Sequence, residues 1–202
     1  MARRNPDRPA EGRQVRGDRT RDMLIDETVR CIREEGFSAA SARHIIERAG
    51  VTWGVIQHHF GDRDGLLTAV IDSAVDELVA ALEELATSNP PLDTLAMVEG
   101  TWAAFATPKA MAGIEILTAT KALRTELANR HVTRLATALE VLRARLDIGD
   151  DGRHAEAAEM LLWTTPVAMM IANMFATEPL DVSTAQNAVA RLIDRDRDSA
   201  RR

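Results

Sequence analysis

The chain has 202 residues, enough for one large domain or two small ones with a sizeable core. Its composition is that of a globular protein, with 46% hydrophobic and 28% charged residues, although aromatic residues make up only 3% and tyrosine is absent. Runs in which β-branched or aromatic residues alternate with polar ones are also absent, which argues against sheets and predicts an all-α fold.

The sequence contains a single cysteine, Cys31, which cannot form an intrachain disulfide and offers no set of zinc ligands. We therefore expect no metal and no cofactor, and we expect Cys31 to be a small buried thiol in a cytoplasmic protein. None of the five histidines lies beside Cys31 or in an HExxH pattern. The sequence thus gives no catalytic residue.

The net charge of −6 is unevenly distributed along the chain. Residues 1–65 contain 12 arginines and 11 acidic residues, whereas residues 66–202 carry a net charge of −7. Binding to nucleic acid is therefore permitted at the N-terminal end only. Residues 1–17 are rich in arginine and have no periodicity, which predicts a disordered basic arm. Such an arm would either enter a DNA minor groove or keep the N-terminus soluble.

Residues 18–65 are predicted to form a small three-helix domain. The first helix begins near Thr20 and ends at Gly36, and the second runs from the N-cap Ser41 to Gly50. Three residues then lead to a third helix over 53–60, which Thr52 can cap. Two short helices joined by a tight glycine-containing turn are typical of a helix-turn-helix.

Residues 66–202 are predicted to form a second, helical domain, which brings the total to about nine helices. An uncharged stretch over 160–176 is better explained by a helix buried in protein than by a membrane span, because it is short and contains Pro166 and Asn173. The six helices of this domain are predicted at 66–86, 92–106, 109–127, 130–147, 153–176 and 182–195.

In a helix-turn-helix the second short helix lies in the major groove, with its early residues facing base edges. Ile56 and Phe60, four residues apart, can anchor that helix in the core. Gln57 can read adenine and Val55 can meet a thymine methyl group, while arginines on either side hold phosphates. The candidate DNA-binding residues are Ser41, Arg43, Thr52, Trp53, Gly54, Val55, Gln57, His58, His59 and Arg63.

Other interpretations of this segment are less favourable. His58 and His59 could suggest a metal site, but adjacent helix positions point about 100° apart and a shared metal requires i, i+4 spacing. A role in core packing competes with DNA contact for His59, and also for Trp53, because tryptophan is usually buried.

Residues 20–67 carry glycines, apolar anchors and capping residues at a characteristic spacing, namely Gly36, Phe37, Ser41, Ile45, Ala49, Gly50, Val51, Thr52, Gly54, Ile56, His59, Phe60, Arg63 and Leu66. With these residues the segment resembles the DNA-binding domain of the TetR family of bacterial transcriptional regulators. The resemblance covers about a quarter of the chain. The remaining helices agree with the family plan only in number and order.

Three residues depart from the family pattern. Ile46 replaces a small alanine, Trp53 replaces a lysine, and Gln57 replaces a tyrosine that commonly contacts phosphate. Trp53 and Gln57 lie on the expected reading face, so operator preference is not transferable from relatives.

The resemblance further implies a small-molecule pocket and a dimer in the C-terminal region. Its soft apolar residues suggest a pocket lining, although a solid core explains the same pattern. Glu115 is the best candidate for a ligand-facing polar group, and surface exposure is the alternative for it. The candidate pocket residues are Met97, Trp102, Phe105, Met111, Glu115, Thr118, Trp163, Met170, Asn173 and Met174.

The function implied is that of a dimeric repressor, released from a palindromic double-stranded DNA operator by a small, largely apolar effector. Homodimerisation is expected through the helices at 153–176 and 182–195, and no membrane is expected as a partner. One alternative is a DNA-binding regulator whose C-terminal domain only dimerises or binds a protein. An all-helical enzyme is a more distant alternative.

Overall fold

A computed structural model describes residues 8–145, 152–178 and 180–200 of the chain. These residues form nine α-helices and one short 3-10 helix, η1, and no strand occurs among them. The fold is therefore all-α, as predicted. The elements in chain order are α1 (Arg8–Glu35), η1 (Phe37–Ala39), α2 (Ala42–Ala49), α3 (Trp53–Phe60), α4 (Arg63–Thr87), α5 (Thr94–Phe105), α6 (Pro108–Ala119), α7 (Lys121–Ala144), α8 (Gly152–Phe175) and α9 (Ser183–Ala200).

Local capping chemistry accounts for the ends of the short helices. The Ser41 hydroxyl accepts a hydrogen bond from the His44 backbone N–H at 3.2 Å and begins α2. Gly50 ends α2 in the left-handed conformation with φ of 66°, which glycine adopts without strain. The Asp62 carboxylate accepts from the Gly65 N–H at 2.8 Å and begins α4. These caps hold α2 and α3 in a helix-turn-helix arrangement.

Helix α4 connects the two parts of the chain. Leu66 and Leu67, in its first turns, are fully buried in the N-terminal unit, and Leu82 is fully buried near its other end. Along its length α4 packs against α1, α3, α5, α6 and α7. The helix therefore crosses the predicted domain boundary at residue 65 without a break.

The prediction of a disordered arm over 1–17 is wrong for residues 8–17, because α1 begins at Arg8. Pro9 lies in the first turn, where its missing N–H has no helical partner to lose. Residues 8–17 have no apolar periodicity, but several of them, such as Gln14, have good helix propensity. They therefore continue the helix in the N-terminal direction. Residues 1–7 lie outside the described residues.

The predicted boundary between the helices at 109–127 and 130–147 is also wrong. Helix α6 ends at Ala119, and Thr120 takes an extended conformation with φ of −128° and ψ of 113° before α7 begins at Lys121. The Thr120 hydroxyl donates to the Ile116 carbonyl at 2.7 Å. This local bond and the β-branched side chain favour a break that contains neither glycine nor proline.

The uncharged stretch 160–176 belongs largely to α8, where Leu162 and Met170 are buried against the rest of the protein. Within the described ranges, every helix is too short or too polar to cross a bilayer.

Gly65 is required by the close approach of α4 to the end of α3. A Cβ atom at this position would overlap the Phe60 carbonyl oxygen, which is backbone and cannot rotate away. We expect Gly65→Ala to lower the free energy of unfolding by about 1–3 kcal/mol, as overpacking does elsewhere. Urea unfolding followed by circular dichroism measures the change.

Gly54→Ala is the matched control, because the nearest atom to its Cβ position is Thr52 Oγ1 at 3.9 Å. This variant should leave stability unchanged or raise it by up to about 1 kcal/mol through helix propensity. Equal losses in the two variants would contradict the close contact.

Candidate nucleic-acid interface

Helix α3 has one buried side and one exposed side. Ile56 is fully buried and Phe60 packs partly against the same core, as the sequence predicts for the two anchors. Trp53 is 45% exposed, and Gln57 and His58 are also exposed. The exposed side of α3 thus presents an indole, an amide and an imidazole to solvent, and these groups can contact base edges and sugars.

The start of α3 leaves hydrogen-bonding groups available. Thr52 occupies the N-cap position, but its hydroxyl makes no capping hydrogen bond. Thr52 and Gly54 are both exposed. The Val55 N–H donates to the Thr52 carbonyl at 3.0 Å, whereas the N–H groups of Trp53 and Gly54 precede the first intrahelical hydrogen bond and point out of the helix end. Such a helix start is suited to a phosphate oxygen.

Two predicted contact residues are partly engaged with the protein itself. Val55 is half-buried and packs against the hydrophobic core. His59 is half-buried, its ring lies 6.0 Å from that of Phe60, and its Cε1 is 3.9 Å from the Cβ position of Gly17 in α1. Both residues therefore help to hold α3 in place, which limits what they expose.

The predicted phosphate-binding arginines differ in their surroundings. Arg43 on α2 is 89% exposed, and its Nε donates to Glu47 at 2.9 Å, one turn along the same helix. Arg63 instead donates from Nε to the Ala40 carbonyl at 2.7 Å, and its guanidinium lies 5.0 Å from the centre of the Phe37 ring. Arg63 thus joins α4 to η1 in this structure, whereas Arg43 faces solvent.

Arg48 is the residue that fixes α2 on α1, and sequence patterns did not single it out. Its guanidinium donates to Glu27 at 2.6 Å, to Glu34 at 2.7 Å and to Glu35. The hydrogen bonds to Glu34 and Glu27 raise the pKa of the Arg48 guanidinium above its usual value. The sequence does place three acidic residues at helical spacing on α1, but it does not indicate which basic residue they bind.

A cavity of about 490 Å³ lies between helices α4 to α8. This volume falls within the range of small-molecule sites. One charged residue, Glu159, contributes to its wall, and Arg143 lies 3.4 Å from the Glu159 carboxylate. The remaining wall is apolar and is formed by Ile71, Ala74, Val75, Leu78, Phe105, Ala110, Gly113, Ile114, Leu117, Val132, Leu135, Ala136, Leu139, Trp163 and Val167.

Of the predicted pocket residues, Phe105 and Trp163 line this cavity. The other side chains lie elsewhere: Met97, Trp102 and Met170 are buried in the solid part of the core, Met111 is partly buried beside it, and Thr118 is exposed. Asn173 accepts a hydrogen bond from the Leu180 N–H at 2.9 Å. The side chain of Met174 lies outside the described residues. Core and cavity walls show the same helical periodicity, so the sequence could not separate them.

Glu115 does not line the cavity, which corrects the expectation that it faces a ligand. Its Oε1 accepts a hydrogen bond from the Phe37 backbone N–H at 2.6 Å. The two residues are 78 positions apart, and their bond joins α6 to η1, directly before α2. Because Gly113, Ile114 and Leu117 of the same helix line the cavity, α6 contacts both the cavity and the N-terminal unit.

Known proteins with similar sequences match the segment of the chain that contains α2 and α3. The family model described as "Bacterial regulatory proteins, tetR family" matches residues 24–70. The HTH-type transcriptional regulator BetI of Burkholderia thailandensis is 41% identical over 61 residues, which are 30% of this chain and 31% of that protein. Matches to the first two such relatives span only 31% and 42% of their length.

Solved structures extend the likeness of fold to most of the chain. A TetR-family transcriptional regulator from Mesorhizobium loti is similar with a TM-score of 0.61 at 15% identity, over 92% of this chain and 96% of that one. The multidrug-binding protein EbrR, complexed with ethidium, is similar with a TM-score of 0.59 at 17% identity, over 88% and 97% of the two chains. At such low identity these likenesses concern the fold alone.

Arg48→Met tests the clamp between α1 and α2. The substitution keeps an apolar stem but leaves Glu27, Glu34 and Glu35 without their shared cation, so the carboxylates repel one another. We expect a lower melting temperature in physiological salt, measured by circular dichroism. Arg43→Met removes an exposed i, i+4 pair and should leave the melting temperature unchanged. Equal melting temperatures of Arg48→Met and Arg43→Met would show that the clamp contributes nothing to stability.

Proposed function

We propose, from the match of residues 24–70 to the family model of tetR-type bacterial regulatory proteins, that the chain is a dimeric transcriptional repressor. It binds an operator through α2 and α3 and is released by a small, largely apolar effector. The observation that carries the proposal is the two-sided α3, in which the buried Ile56 holds an exposed Trp53 and Gln57 in a position to contact bases.

The proposed contacts divide into two classes. Trp53 and Gln57, with Gly54 and His58 beside them, face the major groove and read sequence. The helix start at Thr52 and the exposed Arg43 bind phosphates, which fix the register but carry no sequence information.

The proposed dimer forms through α8 and α9. Four large apolar residues on α8, namely Met160, Trp163, Ile171 and Phe175, are exposed in the single chain, and Phe175 is 83% exposed. Their spacing of 3, 8 and 4 residues places them on one face of the helix. Leu192 on α9 is also exposed. A face of this kind is costly in water and is covered by a second copy of the chain. Two copies related by a twofold axis read a palindromic operator.

The proposed effector occupies the 490 Å³ cavity. Its almost entirely apolar wall selects an apolar molecule, and Glu159, whose carboxylate lies 3.4 Å from Arg143, supplies one polar group on that wall. EbrR, which has a similar fold, was solved with ethidium, a planar aromatic molecule. The same class of ligand is proposed for this cavity.

The coupling between cavity and DNA runs through α4 and α6. Helix α6 contributes Gly113, Ile114 and Leu117 to the cavity wall, and it holds η1 through the bond from Phe37 to Glu115. An effector that binds more tightly when α6 has shifted favours a different position of η1 and α2. The effector changes DNA affinity only to the extent that it binds the two arrangements differently.

Selection of bound sequences from a random DNA library tests the proposed function. We expect a palindromic site that binds at least about 1,000-fold tighter than random DNA at physiological salt, as fluorescence anisotropy measures. Trp53→Ala and Gln57→Ala should change which sequences are preferred. Equal affinity of the wild-type protein for selected and random DNA would overturn the proposal.

Arg43→Ala is the control for these two variants, because a phosphate contact affects all sequences alike. It should weaken every site by a similar factor and leave the order of preference unchanged. If Trp53→Ala and Gln57→Ala behave in the same way, their role is packing or phosphate contact rather than reading of bases.

Nile red, a neutral apolar dye, tests the cavity. We expect it to bind with enhanced fluorescence and to bind about tenfold more weakly to Phe105→Ala, because Phe105 is a buried aromatic residue of the cavity wall and lies outside the proposed dimer face. Trp53→Ala removes an exposed indole far from the cavity wall and should bind the dye as the wild-type protein does. If dye affinity is the same in all three proteins, the domain only dimerises or binds a protein partner.

A further inference from the structure

Three side chains with metal-binding atoms meet where α2 crosses α1. Cys31 and Glu35 are four residues apart on α1 and therefore share one face of that helix. His44 lies in the first turn of α2. The Cys31 Sγ, a Glu35 carboxylate oxygen and a His44 ring nitrogen all lie within 4.8 Å of one another.

The surrounding contacts hold two of these groups in position. The Ser41 cap fixes the turn of α2 that carries His44. The Glu35 Oε2 lies 2.8 Å from the His44 Nε2, while its Oε1 accepts a hydrogen bond from Arg48. Arg48 can thus orient the carboxylate while Oε2 changes its partner.

The ligand set selects a class of metal. A thiolate, an imidazole and a carboxylate are the three ligand types that bind Zn²⁺ at about 2.0–2.3 Å. These bond lengths place tetrahedral ligand atoms about 3.5 Å apart, so small side-chain rotations close the site. Ca²⁺ and Mg²⁺ prefer oxygen ligands only and do not match the cluster.

The cluster is accessible from one side. Cys31 is fully buried, whereas the side chains of Glu35 and His44 are each 37% exposed. A metal ion can enter past this exposed pair, reach the thiol from solvent and retain a water molecule as its fourth ligand.

We propose that Cys31, Glu35 and His44 form a binding site for a divalent metal ion of the Zn²⁺ class, which fastens α2 to α1. Binding replaces the S–H bond of Cys31 with a metal–sulfur bond and releases that proton to solvent. In the metal-free protein His44 Nε2–H donates to the Glu35 carboxylate. On metal binding that proton moves through solvent to Nδ1, and the freed Nε2 lone pair binds the metal in place of the hydrogen bond. This site goes beyond the proposed DNA and effector binding, and it differs from the expectation, drawn from a single cysteine, that no metal binds.

Titration of the full-length, tag-free, reduced protein with Co²⁺ tests the site. We expect one Co²⁺ per chain, with visible ligand-field bands and a near-ultraviolet thiolate-to-cobalt charge-transfer band, both removed by Zn²⁺. Zn²⁺ should also raise the melting temperature, because it binds the folded state. A missing charge-transfer band in the wild-type protein overturns the proposal, whether or not the protein binds its operator.

Variants identify the ligands. Cys31→Ser should lose the charge-transfer band, and His44→Ala should bind Co²⁺ at least about tenfold more weakly, since loss of even a supporting group costs about that much. His58→Ala is the control, because His58 is an exposed histidine of α3 outside the cluster. This variant should bind Co²⁺ with the affinity of the wild-type protein. If Cys31→Ser does not fold, the half-exposed His44 still decides: unchanged Co²⁺ affinity in His44→Ala overturns the site.

Discussion

Helix α3 has eight residues, and a helix of that length has no independent stability in water. Everything that α3 presents to solvent therefore depends on how the rest of the N-terminal unit holds it. Ile56 inserts into a core that also contains Ile45 and Leu66, all fully buried. The Gly50 cap before α3 and the Asp62 cap after it fix the direction of the helix, and Gly65 lets α4 begin close to Phe60. The exposed residues of α3 are free to vary because none of these supports requires them.

Helices α4 to α8 differ from the N-terminal unit, because they leave a cavity between them instead of forming a solid core. The cavity is apolar and partly open to solvent, as the exposed Val132 and Trp163 in its wall show, so part of the packing free energy of a solid core is lost. A fitting ligand restores those contacts, and the cavity wall then becomes better packed than in the empty state. Helix α6 can transmit a change in the cavity wall to the N-terminal unit, because the Glu115–Phe37 hydrogen bond joins the two parts.

How much the sequence could predict depended on the range of the interactions. The caps at Ser41, Gly50 and Asp62 are local, and the bounds of α2 and the start of α4 follow from them. The clamp at Arg48 joins residues 13 to 21 positions apart, and Glu115 meets a residue 78 positions away. Such partners are set by tertiary packing, which a single sequence does not show. The metal cluster had a partial signal in the i, i+4 pair of Cys31 and Glu35, but its third member comes from another helix.

The inward-facing Arg63 has a consequence for the physics of DNA association. Each phosphate that a protein cation neutralises releases condensed counterions, and this release makes affinity fall with ionic strength. Arg63 donates to Ala40 and stacks on Phe37, and Arg48 is surrounded by three carboxylates. Because these two cations are engaged within the protein, we expect the affinity for DNA to fall less steeply with ionic strength than the number of arginines in the unit suggests.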